Sequence, residues 1–119
     1  MKIFSRIRAW LARRRPRRLE QWFIVSFDDQ KVEIRAAPPG RESWEAEFPW
    51  SSITRICFEA TDFMTSDGIY VFTTLRPESY AIPTEARGGQ ALWNEILRRG
   101  LFDADLAIVA AGSPGGLYC

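Results

Sequence analysis

The sequence predicts a mainly β domain of the α+β class, with six to seven antiparallel strands and a C-terminal amphipathic helix. Three observations carry that expectation. Between Glu20 and Pro83 apolar and polar residues alternate at the two-residue period of half-buried strands, broken at short intervals by turn chemistry. After Pro83 the period lengthens to that of a helix. Ahead of both lies a head of opposite electrostatic character. Residues 1–18 hold eight basic side chains and no acid, whereas residues 19–119 hold eight basic against fifteen acidic ones, so +8 adjoins −7 within a formal net charge of +1.

The strands follow in order. Trp22 to Phe27 is aromatic and β-branched, Asp28-Asp29-Gln30 is a turn, and Lys31 to Arg35 alternates with Val32 and Ile34 on one face, which together read as a hairpin. Pro38-Pro39-Gly40 turns the chain into Ser43 to Phe48, where Trp44, Ala46 and Phe48 point inward and Glu45 and Glu47 outward. Pro49-Trp50-Ser51-Ser52 interrupts before a fourth strand from Ile53 to Ala60. Gly68 to Thr74 forms a fifth strand, and Ser79 to Ile82 a sixth that stops at Pro83. A helix is expected from Gly89 or Gln90 to Arg99, with Leu92 and Ile96, and Trp93 and Leu97, four apart and Gly100 as its stop. Asp103 caps a short last helix, and residues 112–119, rich in glycine, read as a flexible tail.

The head has its own period. Ile3, Phe4, Ile7, Trp10 and Leu11 fall within an arc of about 120° at helical spacing, opposite Lys2, Arg6 and Arg13, until Pro16 ends the pattern. Three units result: a basic arm, residues 1–18; a body, 19–111; and the tail, 112–119.

With 119 residues, the chain fits one domain, and its 46% hydrophobic and 13% aromatic content argues for a packed core rather than disorder. No run reaches the roughly 18 to 20 apolar residues of a membrane span. The arginines break any secretory signal, so a cytoplasmic location is expected. A disulfide is not: Cys57, inside Ile-Cys-Phe, reads as a small buried hydrophobe, and Cys119 is the last residue given.

Catalytic chemistry finds little support. The chain has no histidine, which removes nucleophilic triads and the commonest zinc sites. Asp62 and Asp67 lack the glycine-centred pattern of a calcium loop, and Gly88-Gly89 lacks a phosphate-loop lysine. No enzyme, metal or cofactor is expected. Of the tryptophans, Trp22, Trp44 and Trp93 read as core, whereas Trp50, in a Pro-Trp-Ser-Ser turn, reads as a half-exposed protein-contact anchor.

The segments Phe48-Pro49-Trp50-Ser51-Ser52-Ile53-Thr54-Arg55-Ile56, Ser66 to Phe72 and Tyr80-Ala81-Ile82-Pro83-Thr84-Glu85-Ala86, in that order before one helix, resemble bacterial pleckstrin-homology-like (PH-like) domains over roughly residues 20–100. The resemblance implies an antiparallel β roll with one end plugged by the helix. Lipid-binding members of that family hold inositol phosphates with a basic first hairpin. Here the matching turn is Asp28-Asp29, with only Lys31 beside it, and repels such a headgroup.

Membrane contact is therefore expected of the arm, through Lys2, Arg6, Arg8, Arg13, Arg14, Arg15, Arg17 and Arg18 on an anionic surface and Phe4 and Trp10 inserted into it. Nucleic acid is the weaker partner, because the acidic body would be repelled from a duplex. The reading is a non-enzymatic adaptor, peripheral on the inner membrane, whose body docks an unknown protein partner. The alternative is an immunity-type protein that neutralises a basic toxin with that body. Oligomeric state is left open.

Overall fold

The structure is a computed structural model, and it describes residues 19–61 and 66–119. A single helical turn, α1 (Leu19–Trp22), leads into β1 (Phe23–Phe27), β2 (Lys31–Ala36) and β3 (Trp44–Pro49). A 3-10 turn over Trp50–Ser52 separates these from β4 (Ile53–Ala60), β5 (Gly68–Thr73) and β6 (Tyr80–Pro83). Two helices, α2 (Gly89–Arg98) and α3 (Ala104–Ala111), precede a last strand, β7 (Gly116–Tyr118). The expected mainly antiparallel α+β architecture is observed, as two sheets ordered β1-β2-β3 and β6-β5-β4-β7.

The first hairpin is closed by Asp28, whose carboxylate accepts the backbone N–H groups of Gln30 at 2.7 Å and Lys31 at 2.9 Å. Such side-chain capture of nearby donors is why aspartate favours turns. The resulting register, Val25 opposite Ile34 and Phe27 opposite Val32, puts the apolar residues of both strands on one face. Val32, Ile34 and Phe48 of this sheet meet Ile69, Val71 and Ile82 of the other, with Leu92 and Ile96 of α2 filling the same core. Phe48 stacks on Tyr80 at 4.7 Å between ring centres, which joins the two sheets through their aromatic residues.

Backbone joins them as well. Val25 N–H donates to the Arg87 carbonyl at 2.8 Å and Arg87 N–H to the Phe23 carbonyl at 2.9 Å, a parallel bridge that covers the outer edge of β1. Gly88 makes the approach possible: its φ is +82°, and a Cβ there would lie 2.1 Å from the Val25 carbonyl oxygen. Immediately afterwards α2 begins. Trp93 on its buried face lies between Phe58 at 4.7 Å and Phe102 at 5.0 Å. The Asp103 carboxylate accepts the Leu106 N–H at 2.9 Å and starts α3 as expected.

Several expectations are corrected. Trp22 closes a helical turn rather than opening a strand, and it is only partly buried. Trp44 has the inward parity, opposite Ala36, yet is 43% exposed, because among the described residues β3 is the last strand of its sheet, with a neighbour on one side only. The end of the chain, expected to be a flexible tail, contains β7 paired antiparallel to β4. That pairing also overturns the reading of the cysteines. Phe58 opposite Tyr118 continues to Cys57 opposite Cys119, with Cα atoms 4.1 Å apart, and the two are joined in a disulfide.

Candidate functional site

The arm residues Lys2, Phe4, Arg6, Arg8, Trp10, Arg13, Arg14, Arg15, Arg17 and Arg18 lie outside the described residues. Trp50, the expected protein-contact anchor, is not exposed: it is 8% accessible. Its indole N–H donates to the Asp28 carbonyl at 2.8 Å, Phe27 meets it edge-on at 5.8 Å, and the Arg99 guanidinium lies 4.0 Å over its ring. Glu95 holds that guanidinium in turn. Flanked by Arg98 first and Arg99 second, the Glu95 carboxyl is held down at about 2. Trp50 is therefore a structural ring that ties the first hairpin to the end of α2, and the Pro-Trp-Ser-Ser turn folds under the domain rather than away from it.

What the described body presents to solvent is the outer face of its first sheet. Strand alternation places Lys31, Glu33 and Arg35 of β2 there, and the register sets Glu47 opposite Glu33 and Glu45 opposite Arg35. Lys31 reaches Glu33 at 3.1 Å and Glu47 at 3.2 Å, and Arg35 reaches Glu45 at 3.5 Å. Glu33 and then Glu47 raise the Lys31 ammonium above its ordinary value. Three carboxylates thus face two cations. The two on β3 keep side-chain exposures of 73% and 63%, and a shallow hollow of about 390 Å³ runs between the strands.

This face bears on the anion question. Lys31, the cation that follows the first turn in sequence, is committed to two carboxylates, while Asp28 at the turn is held below its ordinary value by the Gln30 and Lys31 backbone N–H groups. A phosphate approaching this hairpin meets ionised carboxylates, so the geometry offers a cationic partner more than an anionic one. Beside it, Trp44 and Trp22 line a second hollow of about 230 Å³ at the start of β3.

Two other features were not anticipated. On the outer side of the second sheet the Tyr70 hydroxyl donates to Glu59 at 2.9 Å, which raises the phenol above its ordinary value. At the C-terminal corner Ile108 and Val109 of α3 and Leu117 of β7 are all more than half exposed. Asp67 accepts the Thr61 backbone N–H at 2.9 Å, and Asp62 lies outside the described residues. Among the described residues no group of three potential metal ligands gathers. No helix among them is long and apolar enough to cross a membrane.

Compared with protein-family models, curated proteins and solved structures, the chain matches none.

Proposed function

We propose that this chain is a non-enzymatic docking protein, a PH-like roll held at an anionic membrane surface by its basic arm and turned toward a protein partner through its acidic body. The observation that carries the reading is the division of charge: +8 within residues 1–18 against −7 in residues 19–119. A basic segment with Phe4 and Trp10 on one stripe has both elements that a membrane surface rewards, attraction to headgroups and apolar insertion. The first hairpin supports the same division of labour. Its cation is neutralised by Glu33 and Glu47, which leaves the arm as the part suited to anionic lipid.

The PH-like part of the reading rests on order: six antiparallel strands in two sheets, followed by an amphipathic helix against the core. The body's contact surface is the first sheet's outer face, with Trp44 at its margin, in place of the buried Trp50. The Cys57–Cys119 bond weighs toward an oxidising compartment over the cytoplasm expected from the sequence, because disulfides persist where thiols are not kept reduced.

Co-sedimentation of the full chain with vesicles tests the reading. Binding to phosphatidylglycerol-containing vesicles and not to neutral phosphatidylcholine is the expected result, and it should weaken as salt rises. Equal binding to both, or to neither, rejects the membrane role.

A further inference from the structure

We propose that the Cys57–Cys119 disulfide is a redox latch: a dithiol reductant opens it from the Cys119 side, β7 leaves β4, and a free strand edge replaces a covered one while the remaining domain stays folded. Neither the arm nor a membrane takes part.

β7 is built to be held by sulfur. It is three residues long, against the roughly five to six of an ordinary strand, and it pairs with β4 through Phe58, Glu59 and Ala60. Its burial is slight. Gly116 has no side chain, Leu117 is 61% exposed, and Tyr118 is only partly buried against the core cluster. The segment that leads to it, Gly112-Ser113-Pro114-Gly115, is mostly exposed as well. A short ladder with little buried apolar surface opens locally at low free energy, so the covalent bond is what keeps the strand in place.

The two cysteines differ in access. Cys57 is 4% exposed, within β4, whereas Cys119 is exposed. Exchange depends on which sulfur a thiolate can reach, and that favours Cys119. One thiolate of the reductant bonds to the Cys119 Sγ, the Cys57–Cys119 bond breaks, and the Cys57 sulfur leaves with the electron pair and takes a proton from water. The reductant's second thiolate then bonds to its own first sulfur and expels the Cys119 sulfur, which is protonated in the same way. Two electrons pass to the protein as two thiols, and the reductant ends as its disulfide.

The sheet defines what is uncovered. β4 stands between β5 and β7, so when β7 leaves, β4 becomes the last described strand, with the backbone of Phe58 to Ala60 unpaired on that side. Such an edge is a template for an added extended segment. Release stays local because β4 keeps its other anchors: it remains paired with β5, Ile56 and Phe58 remain in the core, and Trp93 stays 4.7 Å from the Phe58 ring.

Amide hydrogen exchange on the full chain, before and after incubation with dithiothreitol, tests the latch. On reduction the amides of Leu117 and Tyr118, and those of Phe58 to Ala60 that face β7, should exchange at least about 10-fold faster, while those of Val32 to Ile34 and Ile69 to Val71 change less than about 2-fold. An unchanged pattern after complete reduction means that the ladder alone holds β7, and overturns the proposal. Uniform loss of protection overturns it too, since the bond then stabilises the whole fold, as does a bond that resists dithiothreitol until the domain is denatured. Cys119→Ser should match the reduced parent and ignore dithiothreitol; protection equal to that of the oxidised parent refutes the latch. The point of attack is read separately. After brief exposure to glutathione and acid quenching, peptide mass mapping should find the adduct on Cys119 at least about 5-fold more often than on Cys57, and equal amounts on both refute attack from the Cys119 side.

Discussion

The two sheets share one core but finish their last strands in opposite ways. In the first, β3 is left open, with Glu45 and Glu47 on its outer face and Trp44 half uncovered at its start. In the second, the three-residue β7 lies along β4 and is fixed there by the Cys57–Cys119 bond, while α3 packs beside it. An open strand is a template for another chain, and charge is one way of restricting what may pair with it. The disulfide instead fixes which strand stands at that end of the second sheet. Under the proposed function, the first sheet carries the docking chemistry of the body and the second its covalent tie.

The comparison can be broken most forcefully at Trp93. Its ring packs between Phe58 of the second sheet and Phe102 ahead of α3, so Trp93→Ala should destabilise the domain by about 3 to 5 kcal/mol in denaturant titration. An unchanged midpoint would mean that the Trp93 ring contributes nothing to the core. Next comes Cys119→Ser, which opens a loop with a sequence separation of 62 and should cost about 2 to 4 kcal/mol under non-reducing conditions. If the loss is small, β7 is held by its ladder and neighbours rather than by sulfur.

Trp44→Ala sharpens the other side. The ring meets Phe23 edge-on at 5.8 Å but is largely open to water, so its removal should cost only about 1 kcal/mol while altering partner binding. A loss as large as that at Trp93 would remove the distinction between the sheets. The smallest effect belongs to Glu95, whose largely covered carboxyl is held at about 2 by Arg98 and Arg99. A carboxyl lowered on folding stabilises fully above its unfolded value near 4.5 and loses that contribution as pH falls toward 2. Glu95→Gln should thus melt slightly below the parent at neutral pH and converge with it near pH 2; a gap that persists in acid would point to packing instead of charge.

Local signals in the sequence located most of the elements. The hairpin at Asp28, the strand ending at Pro83, the helix through Leu92 and Ile96 and the Asp103 cap each depend on residues within a few positions of one another, and each is present. What escaped depends on neighbours far along the chain. Trp44 and Trp50 exchanged roles because alternation gives the direction of a side chain but not whether another element covers it. Trp44 points to the core side of an edge strand, and Trp50 is covered only because Phe27 and Arg99 converge on it. The disulfide required β7 to lie on β4, a pairing for which three residues after a glycine-rich stretch give no periodic signal. Gly88-Gly89, without a phosphate-loop lysine, carries no local signal of its role, yet Gly88 is where a loop passes against the Val25 carbonyl.

The Cys57–Cys119 bond also turns the second half of the protein into a covalent ring. A protease that cuts at the exposed Leu75, between β5 and β6, therefore does not divide the molecule: the pieces remain one particle on a non-reducing gel and separate only when the sulfur link is broken. A cut at the exposed Arg41, between β2 and β3, lies outside the ring, so on a denaturing non-reducing gel residues 1–41 run apart from the rest, while in the native fold β2 stays paired with β3. Covalent continuity after a single cut thus belongs to the second half of the chain, whereas the first half is held to it by strand pairing and packing alone.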